Sequence, residues 1–224
     1  MNRPTTTLEA DSIWLQFGGR KILQSVYVKL ETGQITGLLG RNGSGKSCLL
    51  KSIMGLMPTE TQSVRVDGHY VEKPYQQPGL IRYLPQHPFV PPSMTIRAAF
   101  DWYGVKMDEI ATEYPKIDDL KNQRIGQLSG GEKRLAEILL ILKSDTAFVL
   151  LDEPFSHLMP VQIEQLQQTI RQESRRKGIL LSDHLYRSVL DLSDSVYFLN
   201  TGGRTIRLNA PEQELKDRGY LSSE

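Results

Sequence analysis

Apolar and polar positions alternate along the first part of the chain. Val26, Val28 and Leu30 are interleaved with Tyr27 and Lys29, the period-two pattern of a half-buried strand, and residues 7 to 39 read as strands. Glu31-Thr32-Gly33-Gln34 marks a turn before the short apolar run Ile35 to Leu39. A glycine-rich loop follows from Gly40 to Gly45, and Lys46 to Met54 reads as a helix. Ser63 to Asp67 reads as a further strand, with Asp67-Gly68 as its turn signal. The prolines at 74, 78, 85, 88, 91 and 92 keep residues 72 to 93 mostly extended or looped.

Helical texture returns at Thr95 to Tyr103, and a polar stretch runs from Asp108 to Gln127. In the helix that begins at Gly131, residues Leu135, Ile138, Leu139 and Leu142 recur at helical spacing and make one apolar face. Strand Ala147 to Leu151 comes next, then a helix opened by Pro160 with Ile163, Leu166 and Ile170 on one side. Strands Gly178 to Leu181 and Val196 to Leu199 continue the alternation, and Thr201-Gly202-Gly203-Arg204 turns into Thr205 to Leu208. Strand and helix alternating through the second half predict a parallel α/β core.

Composition narrows the classes. The 224 residues are enough for one domain, or one domain with a small lobe. Lys plus Arg is 27 against 26 for Asp plus Glu, so the basic excess of a protein built to grip a nucleic-acid backbone is missing. The longest unbroken apolar runs, Ile138 to Leu142 and Ala147 to Leu151, fall far short of the roughly 20 residues that span a bilayer. Met1 to Ala10 lacks the order of a secretory signal, and the single cysteine, Cys48, fits a reducing compartment. A cytoplasmic chain is the expectation.

Gly40-Arg41-Asn42-Gly43-Ser44-Gly45-Lys46-Ser47 fits G-x-x-x-x-G-K-[ST] between a strand and a helix. Glycines let the loop curl so that its N–H groups point inward, and these donors with the positive end of the next helix favour a polyanion. Lys46 supplies a mobile charge for outer phosphates, and the Ser47 hydroxyl is placed to bind Mg²⁺. Cys48 follows directly and is expected both beside the nucleotide and packed in the helix. After the apolar strand 147 to 151 come Asp152-Glu153-Pro154. Carboxylates there stand at the sheet edge where open α/β folds bind ligands. Asp152 is the candidate Mg²⁺ ligand, and Glu153 is the candidate for orienting or deprotonating an attacking water.

Between these motifs lies Leu128-Ser129-Gly130-Gly131-Glu132. With the phosphate loop before it and the strand plus Asp-Glu after it, the chain resembles the ATP-binding cassette family. The resemblance, carried by motifs from residue 17 to residue 184, implies a P-loop core with a small antiparallel β subdomain and a compact helical subdomain. Residues 1 to 224 would form one such domain, with the helical subdomain at about 87 to 130. It also implies that Ser129, Gly130 and Gly131 face the γ-phosphate held by a second copy, so that two ATP molecules lie between two head-to-tail chains. One copy of each motif then implies a homodimer. Three further residues match family positions. Phe17 is similar to the aromatic that stacks on adenine, though a core strand aromatic is the other reading. Gln86 resembles the glutamine that touches Mg²⁺ and the water, and His184 the switch histidine that reaches the γ-phosphate.

One departure is plain. Where the family usually continues Ser-Ala-Leu-Asp, this chain has Ser156-His157-Leu158-Met159, so an aspartate that helps couple the two ATP sites is replaced by Met159. Hydrolysis is expected to survive and the coupling is in doubt. The resemblance implies an ATPase subunit of a membrane transporter, at the inner face of the cell membrane through partner subunits that dock near Gln86 to Phe100. Phe89, Val90 and Met94 are expected to offer them apolar contact. Asp183-His184 and Tyr220-Leu221 resemble the lipopolysaccharide-export and branched-chain amino-acid groups. The alternative is a soluble cassette ATPase acting on DNA or ribosomes, but the tandem cassettes or long coiled-coil inserts of such relatives are missing. A P-loop GTPase or kinase is disfavoured by the signature and by the lack of an Asn-Lys-x-Asp segment. Arg171, Arg175, Arg176 and Lys177 read as a solvated helix end.

Overall fold

The computed structural model describes residues 5–221; Met1 to Pro4, part of the stretch read for a secretory signal, lie outside the described residues. Strands β1 (Thr7–Phe17) and β2 (Arg20–Glu31) pair antiparallel, and β4 (Thr61–Val66) joins β1 on its other edge, with β5 (His69–Tyr70) outermost. Val26, Val28 and Leu30 are buried and Tyr27 is exposed, as period two requires of a sheet with one wet face. The second sheet has order β10-β9-β3-β8-β7-β6, from β3 (Ile35–Leu39), β6 (Ile81–Leu84), β7 (Phe148–Asp152), β8 (Gly178–Ser182), β9 (Ser195–Leu199) and β10 (Thr205–Leu208). All its pairings are parallel except β10 with β9.

Both faces of this sheet are covered, so β3, β7 and β8 are buried at every position and read as continuous apolar runs. Alternate residues serve different cores. Phe148 and Leu150 face a cluster shared with α1 (Lys46–Met54) and the antiparallel sheet, through Leu49, Leu50 and Val28. Val149 and Leu151 face the opposite cluster with α5 (Gly130–Lys143), α6 (Pro160–Ser174) and α7 (Tyr186–Leu192). A third cluster joins α2 (Ile96–Trp102), α3 (Met107–Glu113) and α4 (Pro115–Asp119) to α5.

Helix α5 departs from the expected single apolar face. It is buried continuously from Arg134 to Lys143, with Ile138 and Leu142 in the second cluster and Leu135 and Leu139 in the third. The stretch expected to be merely polar, 108 to 127, holds most of α3, all of α4 and a 3-10 turn at Ile125–Gln127. Ile110, Tyr114 and Ile117 pin it to the third cluster. Helices α7 and α8 (Pro211–Asp217) also carry no clear periodic signal, being about two turns each and dependent on tertiary contacts. Val90 is core and so is not available for the apolar docking contact expected of it, whereas Phe89 and Met94 pack against the same third cluster and are only partly buried. Among the described residues, no helix is long and apolar enough to cross a membrane.

The helix end expected to be solvated is partly buried. Lys177 is enclosed, and its Nζ donates to the Leu142 carbonyl and, at 2.6 Å, to the Ser144 carbonyl. Glu173 pairs with Arg176 at 2.6 Å and with Lys143 and Lys177 at 3.3 Å each. Burial alone would raise the Glu173 carboxyl, but Lys177, Arg176 and Lys143 together hold it below its ordinary 4.5. Its contribution is therefore complete above the ordinary value and is lost as the pH falls through the folded one. Glu173→Gln takes the ion-pair partner from buried Lys177, while Lys143 keeps Glu113 at 2.6 Å, and the expected loss, read from urea unfolding at neutral pH, is about 3 kcal/mol.

Candidate nucleotide site

The site lies where four neighbouring strands, β3, β8, β7 and β6, reach their carboxyl ends, the edge at which open α/β sheets bind ligands. Residues 40 to 47 leave β3 and enter α1. Gly43 and Gly45 have φ of 74° and 103°, left-handed values that glycine adopts without strain, and Gly45 caps α1. A side chain on Gly40 would place Cβ 2.6 Å from the Leu199 carbonyl oxygen, whereas around Gly43 there is open space. Nζ of Lys46 donates to the Gly40 carbonyl at 2.8 Å and the Arg41 carbonyl at 3.3 Å. Burial lowers its pKa, opposed by Glu153, Asp152 and Asp183. Ser44 Oγ is buried without a partner among the described residues.

Asp152 ends β7 fully buried. It accepts from Tyr83 Oη at 2.9 Å and from Gln86 Nε2 at 3.4 Å. Burial raises its carboxyl, and hydrogen bonds from Ser47, Tyr83 and Gln86 oppose that rise. Glu153 sits at φ 51°, a conformation that costs a non-glycine residue about 1–3 kcal/mol and persists only where its surroundings enforce it. Its N–H donates to the Ser182 carbonyl at 2.7 Å, and its own carbonyl accepts from Arg134 at 2.8 Å. So held, its Oε1 accepts from Gln86 Nε2 at 2.7 Å and lies 2.7 Å from His184 Nε2. Gln86 also donates to Ser47 Oγ at 3.0 Å.

These groups share one cleft of about 510 Å³, lined by Asn42, Gly43, Gly45, Lys46, Ser47 and Cys48 and by Gln86, Glu153 and His184. Phe17, half-exposed at 51%, stands at its rim with Arg20 and Ile22 and is not a core residue. Cys48 is half-buried, packs against the first cluster, and has its thiol pKa pushed up by burial. A cleft of similar size beyond His184, among Tyr186, Glu212 and Tyr220, holds none of the phosphate-loop residues.

Ser129, Gly130 and Gly131 do not line this cleft. Ser129 caps α5: its Oγ donates to Glu132 Oε2 at 2.7 Å, and the Glu132 N–H donates back at 3.3 Å. The Ser129 hydroxyl and the Ser129 N–H, which donates to the same Oε2 at 2.9 Å, hold the Glu132 carboxyl below its ordinary value. Gly131 lies against the segment after the acids, where a Cβ would meet the His157 carbonyl at 3.1 Å.

Three residues that sequence reading passed over also shape the site. Tyr83 binds the buried acid. Asp183 accepts from the N–H groups of Phe155 at 2.9 Å and Leu185 at 3.0 Å, stitching the loop after the acids to the one carrying His184. Arg134 reaches in from α5. Asp183 stood beside His184 in a pair already singled out and Tyr83 three residues before Gln86, but Arg134 lies inside a helix and gave no local signal.

Among the described residues, no group of three or more His, Cys, Asp or Glu could hold a metal ion. Ser47 Oγ and the buried Asp152 carboxylate instead present oxygen donors, which suits Mg²⁺ completed by phosphate and water; Gln86 turns its amide nitrogen to both and would ligate the ion only with the amide turned over, Oε1 inward.

The sequence model of the ABC transporter family matches residues 23–156. A probable ABC transporter ATP-binding protein of Azorhizobium caulinodans is 32% identical over 214 residues, 88% of this chain and 75% of that protein. The lipopolysaccharide export system ATP-binding protein LptB of Haemophilus influenzae is 28% identical, covering 97% of this chain and 98% of its own. Among solved structures, an ATP binding subunit of an ABC transporter superposes with a TM-score of 0.77 at 23% identity, over 97% of this chain and 95% of the other. A bacterial Atm1-family ABC exporter with ATP bound gives 0.83 at 18% identity, over 98% of this chain and 43% of the exporter. These two likenesses speak to the fold, while the family match spans over half of the chain. Taken with the phosphate loop and the acidic pair, that match means the chain belongs to the ABC transporter family, as an ATP-hydrolysing subunit of a transporter.

Proposed function

We propose that this chain binds MgATP in the cleft between Lys46 and Glu153 and hydrolyses it as a head-to-tail homodimer that drives partner subunits in a membrane. The observation that carries this reading is the hydrogen-bonded set of Gln86, Glu153 and His184, joined to Ser47 through Gln86 and sharing one cleft with Lys46. Phe17 stacks on adenine, and the N–H groups of Asn42 to Ser47 with Lys46 Nζ take the phosphates, replacing the Gly40 and Arg41 carbonyls as partners of that ammonium. Ser47, Gln86 and Asp152 would hold Mg²⁺, which supplies charge neutralisation to the phosphates. Glu153 takes the proton of the attacking water, and His184 orients its carboxylate and reaches the γ-phosphate.

The signature supports the dimer. Ser129 to Gly131 are on the surface near the start of α5 yet outside their own chain's cleft, where a second copy's γ-phosphate meets them. Residues of about 87 to 130 then act as a helical subdomain within a single domain. Closure on ATP and reopening after hydrolysis pass to membrane-spanning subunits docked near Gln86 to Phe100, placing the chain on the cytoplasmic face of the membrane. The side chains exposed there are polar or small, among them His87, Pro91, Ser93 and Arg97. Met159 and Val161, exposed at 57% and 66%, stand where the aspartate-bearing loop would lie.

The test joins two measurements on the full chain. Mg²⁺-dependent phosphate release from ATP is expected from the purified protein, and membrane-spanning subunits are expected to co-purify from native membranes. Recovery of only ribosomal or DNA-bound partners would move the reading to a soluble cassette ATPase.

A further inference from the structure

Arg134 and Glu137 stand one turn apart on α5, and both are buried, at 4% and 1% exposure. A solvated role is excluded by that burial, and an apolar side chain would fill either position without desolvating a charge. Their bonds go to backbone rather than to each other. Arg134 donates through Nη1 to the Pro85 carbonyl at 2.7 Å, and through Nη2 to the carbonyls of Asp152 and Glu153 at 2.8 Å each. Glu137 Oε1 accepts from the N–H groups of Phe89 at 2.9 Å and Val90 at 3.2 Å. The loop carrying Gln86 is therefore gripped on both sides by one helix. The same guanidinium fixes the carbonyl of Glu153, the residue whose left-handed backbone needs enforcement. Arg134 Nε and Glu137 Oε2 stay buried without a partner among the described residues, so neither group is fully satisfied by this arrangement.

The helix that makes these bonds begins at Ser129 and Gly130, and it is continuous from there to both residues. A helix moves as a rigid rod over about two turns, so a displacement at its start is delivered to residues 134 and 137. We propose that Arg134 and Glu137 are positioning residues that tie the signature end of α5 to the Gln86 loop and to Glu153, so that a phosphate engaged at Ser129 and Gly130 sets the placement of both. This rests on the ATPase reading above. Neither residue touches nucleotide; each acts through the backbone it holds.

The fork geometry makes the role testable, because lysine keeps the charge but cannot reach three carbonyls at once. In the full chain, Arg134→Lys is expected to lower kcat for ATP about tenfold to a hundredfold, the scale of a misplacement near 1 Å. ATP affinity should stay within about twofold, since the phosphate loop is untouched, and kcat is compared below the variant's own thermal midpoint, which a carbonyl left unpaired lowers. Glu137→Gln keeps the Oε1 acceptor and is expected to retain most of kcat, whereas Glu137→Leu should fall as Arg134→Lys does. That rescue separates positioning from packing, which leucine would satisfy. Arg134→Lys within about twofold of the parent kcat would overturn the proposal. So would Glu137→Gln and Glu137→Leu with equal activity, or kcat and ATP affinity falling together. Parent protein that binds ATP and never hydrolyses it would overturn the ATPase reading and this one with it; active parent with unaffected variants overturns this one alone.

Discussion

Glu153→Gln is expected to lower ATP turnover by about a thousandfold while nucleotide affinity is kept or slightly raised. Glutamine retains an oxygen to accept from Gln86 and His184, each now 2.7 Å from Glu153 Oε1, so the geometry of the cluster survives. What is lost is the ability to take a proton, and a positioned base contributes about 10²–10⁴ in rate. Affinity moves the other way because Glu153 is a negative charge facing the phosphate site, near enough to bear on Lys46. Neutralising it removes a repulsion with the triphosphate. Phosphate release and ATP titration read the two effects separately, and size-exclusion in MgATP is expected to show the variant held as a dimer. Hydrolysis retained at the parent rate would place the base elsewhere.

Lys46→Ala is expected to act on binding instead, weakening ATP by about a hundredfold. Lys46 is 6% exposed, and its ammonium is already held by the Gly40 and Arg41 carbonyls of its own loop. Charge-assisted bonds to phosphate contribute about 1.5–3 kcal/mol each, and each 1.4 kcal/mol is about tenfold in affinity. The fold should tolerate the change, since the substitution also relieves the desolvation that lowers the lysine pKa. Calorimetric titration of ATP checks the prediction, and unchanged affinity would remove Lys46 from the nucleotide site.

These two variants probe residues that could be read from a short stretch of chain. A phosphate loop is eight consecutive residues whose glycines and lysine act on a ligand through their own backbone and side chain, so local order carries the chemistry. The Asp152-Glu153 pair was legible for a similar reason, since an apolar strand that ends in carboxylates must present them at a sheet edge. Gln86 and His184 were placed by resemblance; their contact with Glu153 depends on β6 and β8 both flanking β7. The misread segments were of another kind. In α3 and α4 only a few apolar residues anchor the chain, and the helices exist because the third cluster receives them. Lys177 looked like a helix-end cation until Glu173, Leu142 and Ser144 closed around it.

The sequence by itself determined the alternation of strands and helices, the phosphate loop, the acidic pair and the family. Each of those rests on interactions between residues close along the chain or on a pattern that one face of one element imposes. Only the tertiary structure decided that α5 is buried all round from Arg134 to Lys143, that Arg134 and Glu137 grip the Gln86 loop, and that the signature lies outside its own chain's cleft. Those facts follow from which strands and helices become neighbours. That choice is made by summed burial across three clusters, which no local spacing encodes.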